Sequence, residues 1–363
     1  MKKYLFIVPS LSKGGAEKVV SILSNNLIRK GRMVSIITHF KTDCDYYVDE
    51  KVKIICLSEM KENQYREKMS LFYLLKLLKK LRVKIIEEKA DYIIPFLVTT
   101  CIRTEIALAF SKEKNKIIHT VRNNPKVFPK NKILRLIRNY LINNSKITIV
   151  QNNSQKDYFN KKNWDKIHVL YNPVENKMQS IELKQSDKII KIIGVGRLEP
   201  QKNFKLLINS FSNIAHKYPN TQLEIYGEGS LKKELNDYIE NKELNNRIKL
   251  MGRSNDYQKI YGDADIFVLS SIAEGMPNAL LEAMSVGLAS ISTDCPTGPS
   301  DIIDNYKDGI LISNNNIEEM TKALSELIEN NELRKKIGKN AKEKVHKEFS
   351  EEKICEKLIE ICE

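Results

Sequence analysis

Short runs of β-branched and aliphatic residues alternate with longer stretches of helical periodicity along most of this chain. KYLFIVP (residues 3–9) is followed by AEKVVSILSNNLIRKG (16–31), whose apolar residues recur every three or four positions, and then by MVSIITHF (33–40). A strand, a helix and a strand in that order fold as a parallel βαβ unit. DYIIPFLV (91–98), KIIHTV (116–121) and KITIVQ (146–151) continue the theme, and Gly31 closes the first helix. The polar, aperiodic segment NPVENKMQSIELKQSDK (172–188) interrupts it, after which the alternation restarts with IIKIIGVGR (189–197) and runs to ASIST (289–293). With 363 residues the chain exceeds one hydrophobic core. The expectation is α/β, two Rossmann-like doubly wound domains facing a cleft: residues 1–172, a linker at 173–188, and residues 189–348. An amphipathic helix at 349–363 would use Ile354, Leu358 and Ile361 to pack back on the first domain.

The net charge of +14 is unevenly spread. Residues 1–180 hold 35 Lys and Arg against 16 Asp and Glu, and residues 181–363 hold 25 against 30. Such segregation suits one half near an anionic surface better than nucleic acid bound along the whole chain. No run reaches the roughly 18 apolar residues of a membrane span, and MKKYLFIVPSLS has too short an apolar core for a signal peptide. The expected place is the cytoplasm, with peripheral contact at the inner face of the cytoplasmic membrane. Six scattered cysteines without a Cys-x-x-Cys pair fit reduced thiols and suggest no metal site.

Open sheets bind ligands at the loops that follow their strands. In AEGMPNALLEAM (273–284), Glu274 and Glu282 stand eight positions apart. Pro277 fits the first helical position and Gly287 a C-terminal stop, so Glu274 lies in the loop and Glu282 more than a turn inside the helix. The N–H groups of Met276, Asn278 and Ala279 would face an anion beside Glu274. Glu282, among apolar neighbours, needs hydroxyl donors or a cation, and a ribose diol would satisfy both its oxygens; a glutamate on a solvated helix face is the competing reading. GVGRLEPQKNF (194–204) places Arg197 and Lys202 in a loop before a helix, where two cations suit a departing diphosphate and Gly196 admits close backbone approach. Taken singly, either is an ordinary surface cation. LSKGGAEK (11–18) brings Gly14 and Gly15, which fit a phosphate loop or simply a turn.

Together with DCPTGPSDII (294–303), these stretches resemble the retaining glycosyltransferases of family 4, bacterial surface-polysaccharide enzymes of the GT-B fold, along essentially the whole chain. The resemblance implies transfer of a hexose or N-acetylhexosamine from a UDP-sugar to a polyprenyl-diphosphate-linked glycan, in capsule or O-antigen synthesis, with no cofactor and no metal. It implies that Glu274 holds the transferred sugar, Glu282 the ribose hydroxyls, and Arg197 and Lys202 the diphosphate. Gly275, Met276, Pro277, Asn278 and Ala279 would meet sugar and phosphate, Arg253 the base, and Gly14 and Gly15 the opposite wall. Many family members carry a histidine in the cleft where this chain reads IIHTVRNNP (117–125). That histidine aligns with Val121 or Arg122, which leaves His119 inside the strand; Arg122 and Asn123 are its substitutes for contacts to acceptor or sugar, and His119 stays an acceptor-side candidate beside them.

Other signals are set aside. DAD (263–265) looks like a metal-binding D-x-D but leads straight into a strand, and GVG and GEG (227–229) lack the third glycine of a dinucleotide loop. His39, His168, His216 and His346 share no ligand-like spacing and are read as structural. REKMSLFYLLKLLKKLRVK (66–84) reads as a helix with its apolar face on the sheet and Lys76, Lys79 and Lys80 in water; KNKILRLIRNYLINNSK (130–146) would offer Arg135 and Arg138 to an anionic leaflet. The rival classes are a nucleotide-sugar epimerase of the same architecture and a basic nucleic-acid-binding protein, although the stacking aromatics of the latter are missing.

Overall fold

The computed structural model describes the chain apart from residues 13, 42–43, 62–63, 65–69 and 185–188. It divides into two compact units, Met1–Pro173 with Glu351–Glu363, and Val174–Ser350.

In the first unit, β1 (Lys3–Val8), β2 (Met33–Thr38), β3 (Lys53–Cys56) and β4 (Tyr92–Pro95) form a parallel sheet in the order β3-β2-β1-β4. A second parallel sheet, β5 (Ile118–Val121), β6 (Ile147–Val150) and β7 (Ile167–Val169), is joined to it by the bridge between Ile93 and Ile117. β1 runs central and buried, which explains its unbroken apolar sequence. The helix Gly15–Arg29 lays Val19, Val20, Leu23 and Leu27 against the sheet. On its far flank the last helix, Glu351–Cys362, adds Ile354, Leu358 and Ile361 to the same core. Ion pairs from Arg29 to Glu351 (2.8 Å) and Arg32 to Glu363 (2.9 Å) border that contact.

The second unit has one six-stranded parallel sheet: β8 (Ile190–Val195), β9 (Thr221–Tyr226), β10 (Ile248–Gly252), β11 (Ile266–Leu269), β12 (Ala289–Asp294) and β13 (Ile310–Ser313), in the order β10-β9-β8-β11-β12-β13. The order reverses between β8 and β11, and loops that leave neighbouring strands there on opposite sides open a crevice.

Three expectations need correction. The segment expected to be a linker at 173–188 packs, as far as 184, on the second unit: Val174 N–H bonds Phe349 O (2.8 Å), Met178 is fully buried, and Lys184 N–H reaches Gly262 O (2.7 Å), while 185–188 lie outside the described residues. The basic helix expected from residue 66 begins at Leu71, where the Ser70 hydroxyl accepts from Tyr73 N–H (3.4 Å); residues 66–69 lie outside the described residues. Its second half buries Leu77, Leu78, Leu81 and Ile85, but Leu71, Phe72 and Leu75 are exposed, so the apolar stripe turns away from the sheet at its start. Arg138, expected to face an anionic leaflet, is buried on the helix Lys132–Asn144. Its guanidinium donates to Phe128 O (2.6 Å) and lies over the rings of Tyr158 and Phe159.

Candidate active site

The loop after β8 begins at Gly196, where a Cβ would lie 2.9 Å from Lys202 Cε; the missing side chain lets the lysine stem cross the backbone. Lys202 ends the 3-10 turn Pro200–Lys202, and Asn203 enters the left-handed region (φ 46°) to start the helix Phe204–Ala215. Three hydrogen bonds tie this turn to the loop after β11: Gln201 Nε2 to Ala273 O (2.7 Å), Ser270 Oγ to Lys202 O (2.8 Å), and Ile272 N to Gln201 O (2.9 Å). They bring Lys202 Nζ within 2.7 Å of Glu274 Oε1, with both side chains mostly buried. The ammonium and carboxylate thus meet at the reversal point of the strand order.

The loop after β12 supports Glu274 from below. The Thr297 hydroxyl donates to the Glu274 carbonyl, and Gly298, at φ 101°, fits where a Cβ would lie 2.9 Å from Pro277 Cδ. The Cys295 thiol beside it is pushed up to about 12 by burial and by the Glu274 charge, so it stays neutral.

The helix after this loop is Asn278–Val286, ended by Gly287 at φ 95°. Pro277 is not its first residue but its N-cap: at ψ 100° its backbone is still extended, and its carbonyl accepts from Leu280 and Leu281 N–H (3.2 and 3.3 Å). The one-residue shift keeps Glu282 inside the helix. Glu282 is buried, and its Oε2 accepts from the Tyr261 hydroxyl at 2.8 Å. Tyr261, fully buried and stacked on Tyr257, is kept protonated far above the usual phenol range by burial and by Glu282. Sequence reasoning passed over this tyrosine; the available signal was YQKIY (257–261), a polar-tipped aromatic one turn before a buried strand.

The remaining residues divide by unit. Gly275, Met276 and Pro277 are buried, Asn278 and Ala279 half-buried, and Arg197 and Arg253 exposed at the carboxyl ends of β8 and β10. The glycines of GEG serve loop packing: a Cβ at Gly227 would strike Gly196 O, and one at Gly229 would strike the Leu198 backbone. Asp265 of DAD sits at the amino edge of the sheet, accepting from Lys191 N–H (2.8 Å), at the opposite end of the strands from Glu274.

In the first unit, Gly14 caps the helix Gly15–Arg29 in an extended conformation, close against the Glu17 carboxylate. His119 lies inside β5, with Nε2 3.0 Å from Glu105 Oε1. Burial raises the Glu105 carboxyl, but His119 and Lys114 outweigh it and hold the group below its ordinary value. Arg122 is buried just past β5 and Asn123 is exposed. His39, fully buried at the end of β2, is pulled down to about 3 by burial and by Arg103, and is neutral.

The family model for glycosyl transferases group 1 matches residues 174–344. The GalNAc-alpha-(1->4)-GalNAc-alpha-(1->3)-diNAcBac-PP-undecaprenol alpha-1,4-N-acetyl-D-galactosaminyltransferase of Campylobacter jejuni is 26% identical over 99% of this chain and 98% of its own. The UDP-Gal:alpha-D-GlcNAc-diphosphoundecaprenol alpha-1,3-galactosyltransferase of Escherichia coli is 29% identical over 87% of this chain and 84% of its own. Among solved structures, Anabaena HepE in complex with UDP and glucose is 17% identical, covers 99% of each chain and superposes with a TM-score of 0.83. The match of the second unit, the transferases alike over most of their length and the shared architecture agree: the chain is a glycosyltransferase of the GT-B fold, its second unit a group 1 domain.

Proposed function

We propose that the protein is a retaining, metal-independent transferase of family 4. It moves a hexose or N-acetylhexosamine from a UDP-sugar to a hydroxyl of a polyprenyl-diphosphate-linked glycan in surface-polysaccharide biosynthesis. The observation that carries this reading is the Lys202–Glu274 pair at the crevice between β8 and β11, with the buried Glu282 eight positions on, inside the helix Asn278–Val286. In the ligand-free protein each charge neutralises the other. A donor diphosphate takes over Lys202, joined by the exposed Arg197, and releases Glu274 to accept from sugar hydroxyls; Glu282, steadied by Tyr261, accepts from the ribose.

The acceptor oxygen bonds to the anomeric carbon on the face from which the diphosphate leaves. The breaking carbon–oxygen bond gives its electron pair to the diphosphate oxygen, which takes the acceptor's proton. Two cations and the helix amino end offset the charge that develops there, so no divalent metal is invoked. The names of the Campylobacter and Escherichia coli relatives, both acting on undecaprenyl-diphosphate-linked sugars, support the acceptor class. A panel of UDP- and GDP-sugars, scored by transfer with and without EDTA and by the rise in unfolding midpoint, tests the donor. A UDP-sugar should protect the protein and pass its sugar on with retained configuration, EDTA or not; protection by GDP-sugars alone, or conversion of the donor without an acceptor, would refute the reading.

The place of work we propose is the inner face of the cytoplasmic membrane. Among the described residues no helix is long and apolar enough to cross a membrane. Ile133, Leu136 and Tyr140 are exposed on the helix Lys132–Asn144 of the strongly basic half, a combination suited to an anionic lipid surface. Co-sedimentation should be several-fold greater with anionic than with neutral vesicles and should weaken with salt; equal binding to both would argue against it.

A further inference from the structure

Arg122 is the least compensated charge among the described buried groups. It is 6% exposed, its guanidinium lies 4.7 Å from the centre of the Phe96 ring, and its Nη2 donates to Asn172 Oδ1 at 2.8 Å. The same oxygen accepts from Gln151 Nε2 at 3.1 Å, and Gln155 in turn bonds Gln151. This surround is made of amides and an aromatic ring; no carboxylate pairs with Arg122 among the described residues. Its Nε and Nη1 are buried without a hydrogen-bond partner. Burial alone pulls the group down to about 9, with no anion to raise it again. A buried cation left so is costly, and a structure that tolerates it usually has a partner that arrives later.

The position says where that partner comes from. Phe96 follows β4, Arg122 follows β5, Gln151 follows β6, and Asn172 lies just beyond β7. All four therefore stand at the carboxyl edge of the parallel strands, the edge where open α/β sheets receive ligands. We infer that Arg122 is an oxyanion site, whose unbonded Nε and Nη1 hydrogens take a phosphoryl or carboxylate oxygen carried by the acceptor. Assignment of the ligand to the acceptor rests on the transferase reading above; the oxyanion site itself does not. Asn172, itself held by Gln151, fixes the guanidinium plane while Phe96 covers its face, so the fork is set before the ligand binds.

The test uses the full chain with the donor cations silenced by Arg197→Ala and Lys202→Ala, titrated with inorganic pyrophosphate and with glucuronate while thermal unfolding is followed. At least one probe should raise the midpoint. Pyrophosphate alone points to the lipid diphosphate as the source, glucuronate alone to an acidic sugar. Adding Arg122→Met should weaken that binding roughly ten- to a hundredfold, and Arg122→Lys, which keeps a charge but not the planar fork, should fall between. The ligand-free midpoint of Arg122→Met should match or exceed its parent, because no counter-ion is lost. Equal binding with Arg or Met at 122, or no binding of either probe to the parent, would overturn the site. In transfer assays Arg122→Met should shrink the preference of the enzyme for acceptors bearing the oxyanion over those lacking it. Failure of any acceptor to be glycosylated would instead sink the transferase reading and leave the titration to judge Arg122.

Discussion

In the second unit the half-buried Lys202 Nζ sits 2.7 Å from the Glu274 carboxylate, whereas in the first Arg122 is buried more deeply, with two nitrogens unbonded. One cation is already paired within the protein and, in the proposed mechanism, exchanges partners when the donor binds; the other has two nitrogens free for the proposed oxyanion. The anchoring differs too. Glu282 is steadied by a tyrosine from a separate helix, Arg122 by amides at two other strand ends. A site that swaps ion pairs suits a substrate that arrives charged and leaves more charged, as a nucleotide-sugar does.

The strongest way to break this contrast is to give the second unit an orphan charge of its own. Lys202→Ala leaves Glu274 buried without its cation and removes a diphosphate contact, so kcat/KM for transfer should fall a hundredfold or more, equivalent to about 3–5 kcal/mol. Next is a buried titratable group of the first unit that carries no charge. His39 is held near 3 by burial and Arg103 against an ordinary 6.5, so the unfolded chain binds a proton that the folded chain refuses. Stability should be full above pH 6.5 and decline toward pH 3, by on the order of a few kcal/mol. His39→Gln should flatten that decline in urea unfolding measured across the range, and an unchanged slope would contradict it. The smallest effect belongs to Tyr261→Phe. Losing one hydrogen bond to Glu282 should cost about 1–2 kcal/mol, seen as a roughly five- to thirtyfold rise in donor KM with kcat little changed.

The legible part of the fold was its interior. KYLFIVP, MVSIITHF and IIKIIGVG are central parallel strands buried on both faces, so their composition alone marks them. β3, β7 and β13 went unread because each is a sheet edge of only three or four residues with part-exposed side chains, so its apolar run is short or, in β7, broken by His168. Glu274 and Lys202 could be found because Gly275 and Pro200 mark their loops, and Glu282 because Pro277 and Gly287 bracket its helix. Their pairing could not, since Lys202 and Glu274 are 72 positions apart and meet only through the register of β8 beside β11. Tyr261 and the amides around Arg122 were missed for the same reason: QNN and YNP look like ordinary turns until three strands place them side by side. Arg138 misled because helical periodicity reports which residues share a face, not what stacks over that face afterwards.

In the proposed mechanism Glu274 is held for the sugar by a lysine that the donor reclaims. This is tested most directly by single-turnover transfer with Glu274→Gln, with donor binding followed in parallel. The side chain keeps its shape and loses its charge. Transfer should fall at least tenfold to a hundredfold while the UDP-sugar binds within a few-fold of wild type, because Lys202 no longer needs to be released. Wild-type transfer by Glu274→Gln would contradict it.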